Sequence, residues 1–545
     1  MRPPLPANGQ SRDEAVRHPQ ALVSRPPLQA WVRQSPGPHL PCGAVARAHQ
    51  RAKQDSQIKL NNHPGDMPAM TRGLQAVTLG YAPIGKFVFS KEDAARYKAL
   101  TRDRLTDLGV RIVDIEGVTE DGMLYRDEDL PKVVNHLKHA KVDAVFCPHC
   151  NFGTEDVAAK LGREMGLPYL LWGPRDEMPL PDGTRLRDTQ CGLFATSNIL
   201  SQLGVPFSYI PNCRLDDPAF DSGVLAFLQV AGAVKAFRNM KIGQIGQRND
   251  FFWTVIVNEA AMLQRYGIEV YQIYISDVVE AMQALLADPT DELLELVQSL
   301  RDQVTFEHLG PDQVNAIAAL KIVMSELARE HGLSAIAIQC FPVMQKQFGI
   351  YPCLANGLVT TEGVPVICEV DIYGAVGAVM LQAATLHENP PFFADMTIRH
   401  PDNDNAELLW HCGAFPLCLA DEGVAPKVGD HFIMPTDDAG VCHWRIRGGD
   451  VTVARFASDG DEFTLGFGEA RGTTGPETVG TYLWVEVDDW LKWERKLIRG
   501  PYIHHMAGVH GKLGHVLQEA TRYIPGLKAD SFNEDERELE DWWWR

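Results

Sequence analysis

The chain lacks any long uninterrupted apolar run, and its first residues lack the apolar core of a secretory signal. Those two absences predict a protein that neither spans a membrane nor carries an export signal. Positive charge is in short supply: 51 Lys and Arg stand against 71 Asp and Glu, a net charge of -20. Such a surface repels phosphate backbones and acidic lipid headgroups, so nucleic acid and membrane surfaces are excluded as partners. Cysteine is sparse as well, with eleven in 545 residues, scattered through apolar segments. That usage reads as reduced thiols of a cytoplasmic protein. The one CxxC, Cys147-Pro148-His149-Cys150, has no second pair to complete a structural zinc site, and reads as thiols at the end of a strand. Neither a Walker pattern nor a GxGxxG fingerprint occurs, which removes the common nucleotide-binding loops.

What remains is material for two or three domains, with 45% hydrophobic residues to fill their cores. Residues 1–70 stand apart, being rich in Pro, Arg, Gln and His and free of sustained periodicity. They read as a disordered extension, either a targeting segment or the product of a start codon placed upstream of Met67 or Met70. From Leu74 the pattern alternates. Strands are predicted at 74–79, 110–115, 142–147 and 169–172, with helices at 91–108, 129–140 and 155–165 between them. A second alternating unit runs from 176 to 385, with helices at 222–240, 254–266 and 311–331 and strands at 241–245, 269–273 and 334–338. Beyond Thr385 the period turns to two, with strands at 450–456, 462–469 and 480–486 and Gly-rich turns between them. The expected architecture is therefore two Rossmann-like parallel α/β domains, 71–175 and 176–385, followed by a β-rich, barrel-like domain, 386–545. The tail carries Trp542, Trp543 and Trp544 after an acidic stretch and suits docking onto a neighbouring subunit.

Two segments carry chemistry. In Glu362-Gly363-Val364-Pro365-Val366-Ile367-Cys368-Glu369-Val370-Asp371 an apolar run ends in two carboxylates. Read as a strand, it puts Glu369 and Asp371 on one face, within reach of one hard cation such as Mn²⁺ or Mg²⁺; the alternative is a strand end whose acids meet water. Near the other end lies Gly500-Pro501-Tyr502-Ile503-His504-His505-Met506, before a helical segment at 513–523. Adjacent histidines diverge, so one of His504 and His505 faces any given site. Two further places collect polar groups at strand ends, where ligands bind in parallel sheets. They are the loop Gly80–Lys86 and the loop Gly246-Gln247-Arg248-Asn249-Asp250, the latter suited to hydroxyl recognition or to plain connection. His411, alone in its loop, either borders the site or is structural.

Together the acidic segment and the histidine pair resemble the L-fucose isomerase family, relatives of L-arabinose isomerase, over roughly Leu74 to the C-terminus. The resemblance implies a metal-binding aspartate at Asp371 and a histidine ligand at His505, with Gly511 six residues after it and His504 before it. The family's third ligand is an acid about two dozen residues upstream of the aspartate, whereas this chain has Gln347-Phe348-Gly349-Ile350-Tyr351-Pro352-Cys353 there. Glu369 or Glu362 is then the substitute, and Gln339 matches the family's substrate-binding glutamine. The implied activity is aldose–ketose isomerisation of a monosaccharide through an enediol, dependent on Mn²⁺ or another divalent cation such as Mg²⁺ or Co²⁺, with Glu369 as first choice of base and Asp371 able to share that role. The implied assembly is a homo-oligomer, a trimer or hexamer. Two alternatives stand beside it: an isomerase of a sulfonated or phosphorylated sugar whose anion is clamped by Arg248 or Arg175, and a non-catalytic sugar-binding or regulatory protein.

Overall fold

A computed structural model describes residues 74–432 and 438–533. The N-terminal extension and the tryptophan-rich tail discussed above lie outside the described residues. The first sheet is parallel throughout and is built from β1 (Thr78–Tyr81), β2 (Arg111–Asp114), β3 (Ala144–Pro148), β4 (Tyr169–Trp172) and β5 (Ser208–Tyr209), in the order β2-β1-β3-β4-β5. This is the 2-1-3-4-5 order of flavodoxin-like doubly wound sheets, not the dinucleotide-binding Rossmann order. Because β5 belongs to it, the first unit runs past the expected boundary at 175. Cys147 and Cys150 are buried free thiols, and burial pushes the Cys147 thiol up to about 12.

The second parallel sheet is formed by β6 (Lys241–Ile245), β7 (Glu269–Ile273), then, after β8 (Thr305–Phe306), β9 (Ala335–Ile338) and β10 (Val366–Ile367), in the order β10-β9-β6-β7. The two-residue strand β8 leaves this unit and pairs in parallel with the third. The third contains β11 (Phe392–Arg399), β12 (Ala406–His411), β13 (Lys427–Asp430), β14 (Ala439–Arg445), β15 (Asp450–Asp459), β16 (Glu462–Gly472), β17 (Thr481–Glu486), β18 (His505–His510) and β19 (Leu527–Ser531). Six of them, β16-β15-β18-β11-β12-β17, close through the β16–β17 pairing into an antiparallel barrel, so no edge is left open among them.

The helix Ile372–Ala384 joins the second sheet to the barrel, and all thirteen of its residues are buried. It packs against the long helix Pro218–Arg238 on one side and the barrel wall on the other. Close approach depends on its glycines. A Cβ at Gly374 would stand 2.6 Å from the Phe393 ring, and one at Gly377 would stand 3.1 Å from the Ala454 carbonyl oxygen. The helix Pro218–Arg238 is 21 residues long and apolar enough to cross a membrane by length and composition, contrary to the expectation that no segment reaches that length. Its apolar residues, among them Phe227, Val230 and Phe237, are spent on the core of the protein.

The acidic segment differs most from its sequence reading. Only Val366 and Ile367 are strand; Cys368–Val370 form a tight turn, and Asp371 is the N-cap of the buried helix. Conversely, His505 opens the barrel strand β18.

Candidate functional site

The turn after β10 determines where each acid goes. Glu369 and Val370 both adopt positive φ, 64° and 58°, a left-handed conformation that side chains other than glycine rarely take. Outliers of this kind cluster at functional sites. Here the turn sends Glu369 and Asp371 to opposite sides of one imidazole instead of along one strand face. Asp371 lies behind it. Its Oδ1 accepts from the Gly374 N–H at 2.9 Å, and its Oδ2 accepts from the Arg455 guanidinium and, at 2.9 Å, from His505 Nδ1. Asp371 is 0% exposed and Arg455 2%. Burial alone would raise the Asp371 carboxyl, but the Arg455 and His505 charges and hydrogen bonds outweigh it and hold the group well below the usual carboxylate range.

With Nδ1–H committed to Asp371, His505 presents Nε2 forward. That atom faces Glu369 Oε2 at 3.4 Å and Asp395 Oδ1 at 3.4 Å. Asp395 is brought in by strand register, since it sits directly opposite His505 in the β11–β18 pair. The burial of His505 would lower its basicity, yet the carboxylates of Asp371, Glu369 and Asp395 together push it up to about 10. Glu369 is in turn held below its ordinary value, because His505 and His411 outweigh its burial.

These donors fit a divalent cation. Asp395 Oδ1 is buried without a hydrogen-bond partner. The 3.4 Å separations exceed the ~2.8 Å of a charge-assisted hydrogen bond but suit two donors about one ion with bonds of ~2.0–2.2 Å. Asp395, His504 and His505 each offer a ligand atom within 4.8 Å of the others, the only such group among the described residues. A carboxylate bonded to the far nitrogen of a ligating histidine, as Asp371 is, fixes the tautomer and the ring orientation.

The other residues singled out in the sequence fall as follows. His504 is half exposed at the rim, its Nε2 3.9 Å from Asp395 Oδ1. His411 is buried and its ring centre lies 6.5 Å from that of His505. Gln339, at the end of β9, accepts from the Gln247 N–H at 3.0 Å and donates to the Phe341 carbonyl at 3.2 Å, so it ties the loop after β6 to the loop after β9. Arg248 lies in that loop after β6. Arg175 is exposed, and its N–H donates to the Cys213 carbonyl. Glu362 is not part of the cluster: it ends the helix Cys353–Thr361 and pairs with Lys321 at 2.5 Å and Ser325 at 2.7 Å. Sequence reasoning missed Asp395 and Arg455. The available signal was a charged residue inside each of two apolar strands, Phe392-Phe393-Ala394-Asp395 and Val453-Ala454-Arg455-Phe456.

Comparison with known proteins bears on the same site. Residues 80–238 match the family described as fucose/sulfoquinovose isomerase, N-terminal domain. A sulfoquinovose isomerase from Priestia aryabhattai is 25% identical over 460 residues, covering 83% of this chain and 98% of that protein. A sulfoquinovose isomerase from Alkalicoccus urumqiensis is 23% identical over 390 residues, covering 71% of this chain and 84% of its own length. Sequence motif and these relatives point the same way: the chain is similar to the fucose/sulfoquinovose isomerases, which are aldose–ketose sugar isomerases.

Proposed function

We propose that the protein is a divalent-metal-dependent isomerase of a sulfonated aldose of the sulfoquinovose type, working through an enediol. The observation that carries this reading is the Asp371-oriented His505, whose Nε2 meets Glu369 and Asp395 around a buried, unpartnered carboxylate oxygen. Asp395 and His505 would hold the ion, with His504 completing the set. Mn²⁺ or a comparable ion supplies Lewis-acid polarisation of the carbonyl and its neighbouring hydroxyl. Asp395 thereby supplies the acid that the stretch 347–353 lacks, which favours catalysis over mere sugar binding. The relatives named for sulfoquinovose favour the sulfonated substrate over a plain one.

The chain's own residues divide the work. Asp371 accepts the His505 Nδ1–H and keeps the Nε2 lone pair pointing into the site. Glu369, whose side chain is 18% exposed, is the acid that can meet substrate, and takes the C2 proton. As that C–H bond breaks, a C1–C2 double bond forms and the C1 oxygen becomes a hydroxyl with a proton that solvent relays and that O2 gives back in the next step. Return of the proton to C1 and loss of the O2 proton leave the ketone at C2. Asp371 cannot share the role of base, since both its oxygens are taken by donors.

The test is metal analysis of the purified protein followed by an isomerisation screen over neutral, phosphorylated and sulfonated aldoses. Glu369→Gln is expected to keep metal and substrate binding while turnover falls by 10³-fold or more, on the order of a lost general base with its pre-positioned proton path. A metal-loaded wild type that turns over no aldose would remove the reading.

A further inference from the structure

Within the proposed reaction, one question is how the anionic end of the sugar is recognised, and the loop after β6 answers it in an unusual way. Arg248 is half-buried there and donates through Nη1 to the carbonyls of Asn249, Asp250 and Phe252, at 2.8, 3.3 and 3.2 Å. Three carbonyls on one nitrogen lock the guanidinium in place, and its other N–H groups have no hydrogen-bond partner among the described residues. No carboxylate pairs with Arg248 among the described residues, although acids far outnumber bases in this chain. Next to it, Asn249 Nδ2 is buried with no hydrogen-bond partner among the described residues. A buried donor left unpaired is destabilising, so its retention points to a partner that arrives from outside. The Arg248 guanidinium and the Asn249 Nδ2 are both donors.

We infer that Arg248 and the Asn249 side-chain amide form the subsite that holds the substrate's sulfonate. A sulfonate carries no proton at neutral pH and is acceptor-only, which matches a pocket of donors; a locked guanidinium presents two parallel N–H groups to two of its oxygens. The placement is consistent with one sugar bridging both ends of the site. Strand order runs β10-β9-β6, so the ends of β10 and β6 lie about 10 Å apart at two strand spacings, the scale of an extended hexose with a terminal anion. Glu369 follows β10, Arg248 follows β6, and Gln339 at the end of β9 binds the Arg248 loop between them. Phe341, stacked on Phe251 at 6.0 Å and edge-on to Phe252 at 5.9 Å, backs the loop with apolar surface that strengthens a charge interaction beside it.

The inference rests on the proposed isomerisation, and the test separates the two. Activity of the Mn²⁺-loaded protein is measured on sulfoquinovose and on its sulfonate-free counterpart, for wild type, Arg248→Met, Arg248→Lys and Asn249→Ala, with melting temperature and Mn²⁺ affinity as controls for folding. Competition by methanesulfonate is measured in parallel by calorimetry. The ratio of kcat/KM for the sulfonated over the neutral sugar is expected to fall about 30-fold or more in Arg248→Met, mainly through KM, and about 10-fold in Asn249→Ala, as for lost hydrogen bonds to a charged group. Arg248→Lys should recover part of the ratio. An unchanged ratio in both Arg248→Met and Asn249→Ala, with wild type active, overturns the subsite and leaves the isomerase reading intact. An inactive wild type whose methanesulfonate binding is abolished by Arg248→Met overturns the isomerase reading and keeps the subsite.

Discussion

Two acids, one capping the buried helix and one on the barrel wall, are buried almost equally and behave in opposite ways. Asp371 is 0% exposed and Glu407, on β12, is 4% exposed. Asp371 receives three donors and is held far below the ordinary carboxylate range. Glu407 has Oε2 buried without a partner, and its burial pushes it up to about 7. Arg399 stands directly opposite Glu407 in strand register, yet its guanidinium turns to Asp404 instead. Burial therefore does not decide whether a carboxylate is charged; the donors delivered to it do. At the site the fold supplies those donors, and the resulting fixed anion orients a histidine. On the β12 side it does not, and the acid is a cost.

The sharpest way to break this comparison is to strand Asp371. Arg455→Met leaves an uncompensated buried carboxylate and should destabilise the protein by about 3–5 kcal/mol in denaturant unfolding. Adding Asp371→Asn should restore most of that loss, because it removes the stranded buried charge while the amide oxygen still accepts the Gly374 N–H and caps the helix. Equal stability of the single and double variants would show that the ion pair is not what holds the site.

A second test uses protons. Without metal, His505 titrates near 10 and is charged at pH 8, whereas a ligating imidazole must be neutral. Mn²⁺ binding at pH 8 should release about one proton, read as a buffer-dependent enthalpy in calorimetry, and His505→Gln should abolish that release along with tight binding. The same shift sets a stability window for the metal-free protein. The raised His505 contributes stability that is complete below its unfolded value of ~6.5 and is lost as pH rises through about 10. The depressed Asp371 contributes above ~3.9 and is lost as pH falls further.

The smallest effect is expected at Glu407. Its folded value is raised, so its charge costs stability once pH exceeds the unfolded value of ~4.3, with the full cost reached above about 7. Glu407→Gln should therefore stabilise by about 1–2 kcal/mol at pH 8 and change little at pH 4. Equal effects at both pH values would mean that Glu407 finds a partner after all.

Alternating strands and helices were legible because each is a local pattern: the strands 169–172, 241–245 and 269–273 and the helices 155–165 and 311–331 have the bounds that periodicity assigned. The barrel was legible in part, through the strands that became β15, β16 and β17, while its closure was not, because closure rests on the β16–β17 pairing alone. The histidine and the two acids of the site were visible as residues, but their arrangement was not. An extended reading of Glu369 and Asp371 failed because two consecutive left-handed residues, unusual for Glu and Val, turn the chain into a helix cap.

The sequence by itself determined the chemistry on offer: carboxylates and histidines able to hold a hard cation, parallel sheets whose strand ends present loops, and an acidic surface. Tertiary structure alone decided which acid does what. Asp395 meets His505 because antiparallel register places them opposite each other across 110 residues of chain, and Arg455 reaches Asp371 because the buried helix presses its N-terminus against the barrel wall. Such partners carry no local signature, since register and packing are properties of the closed barrel and not of any segment within it.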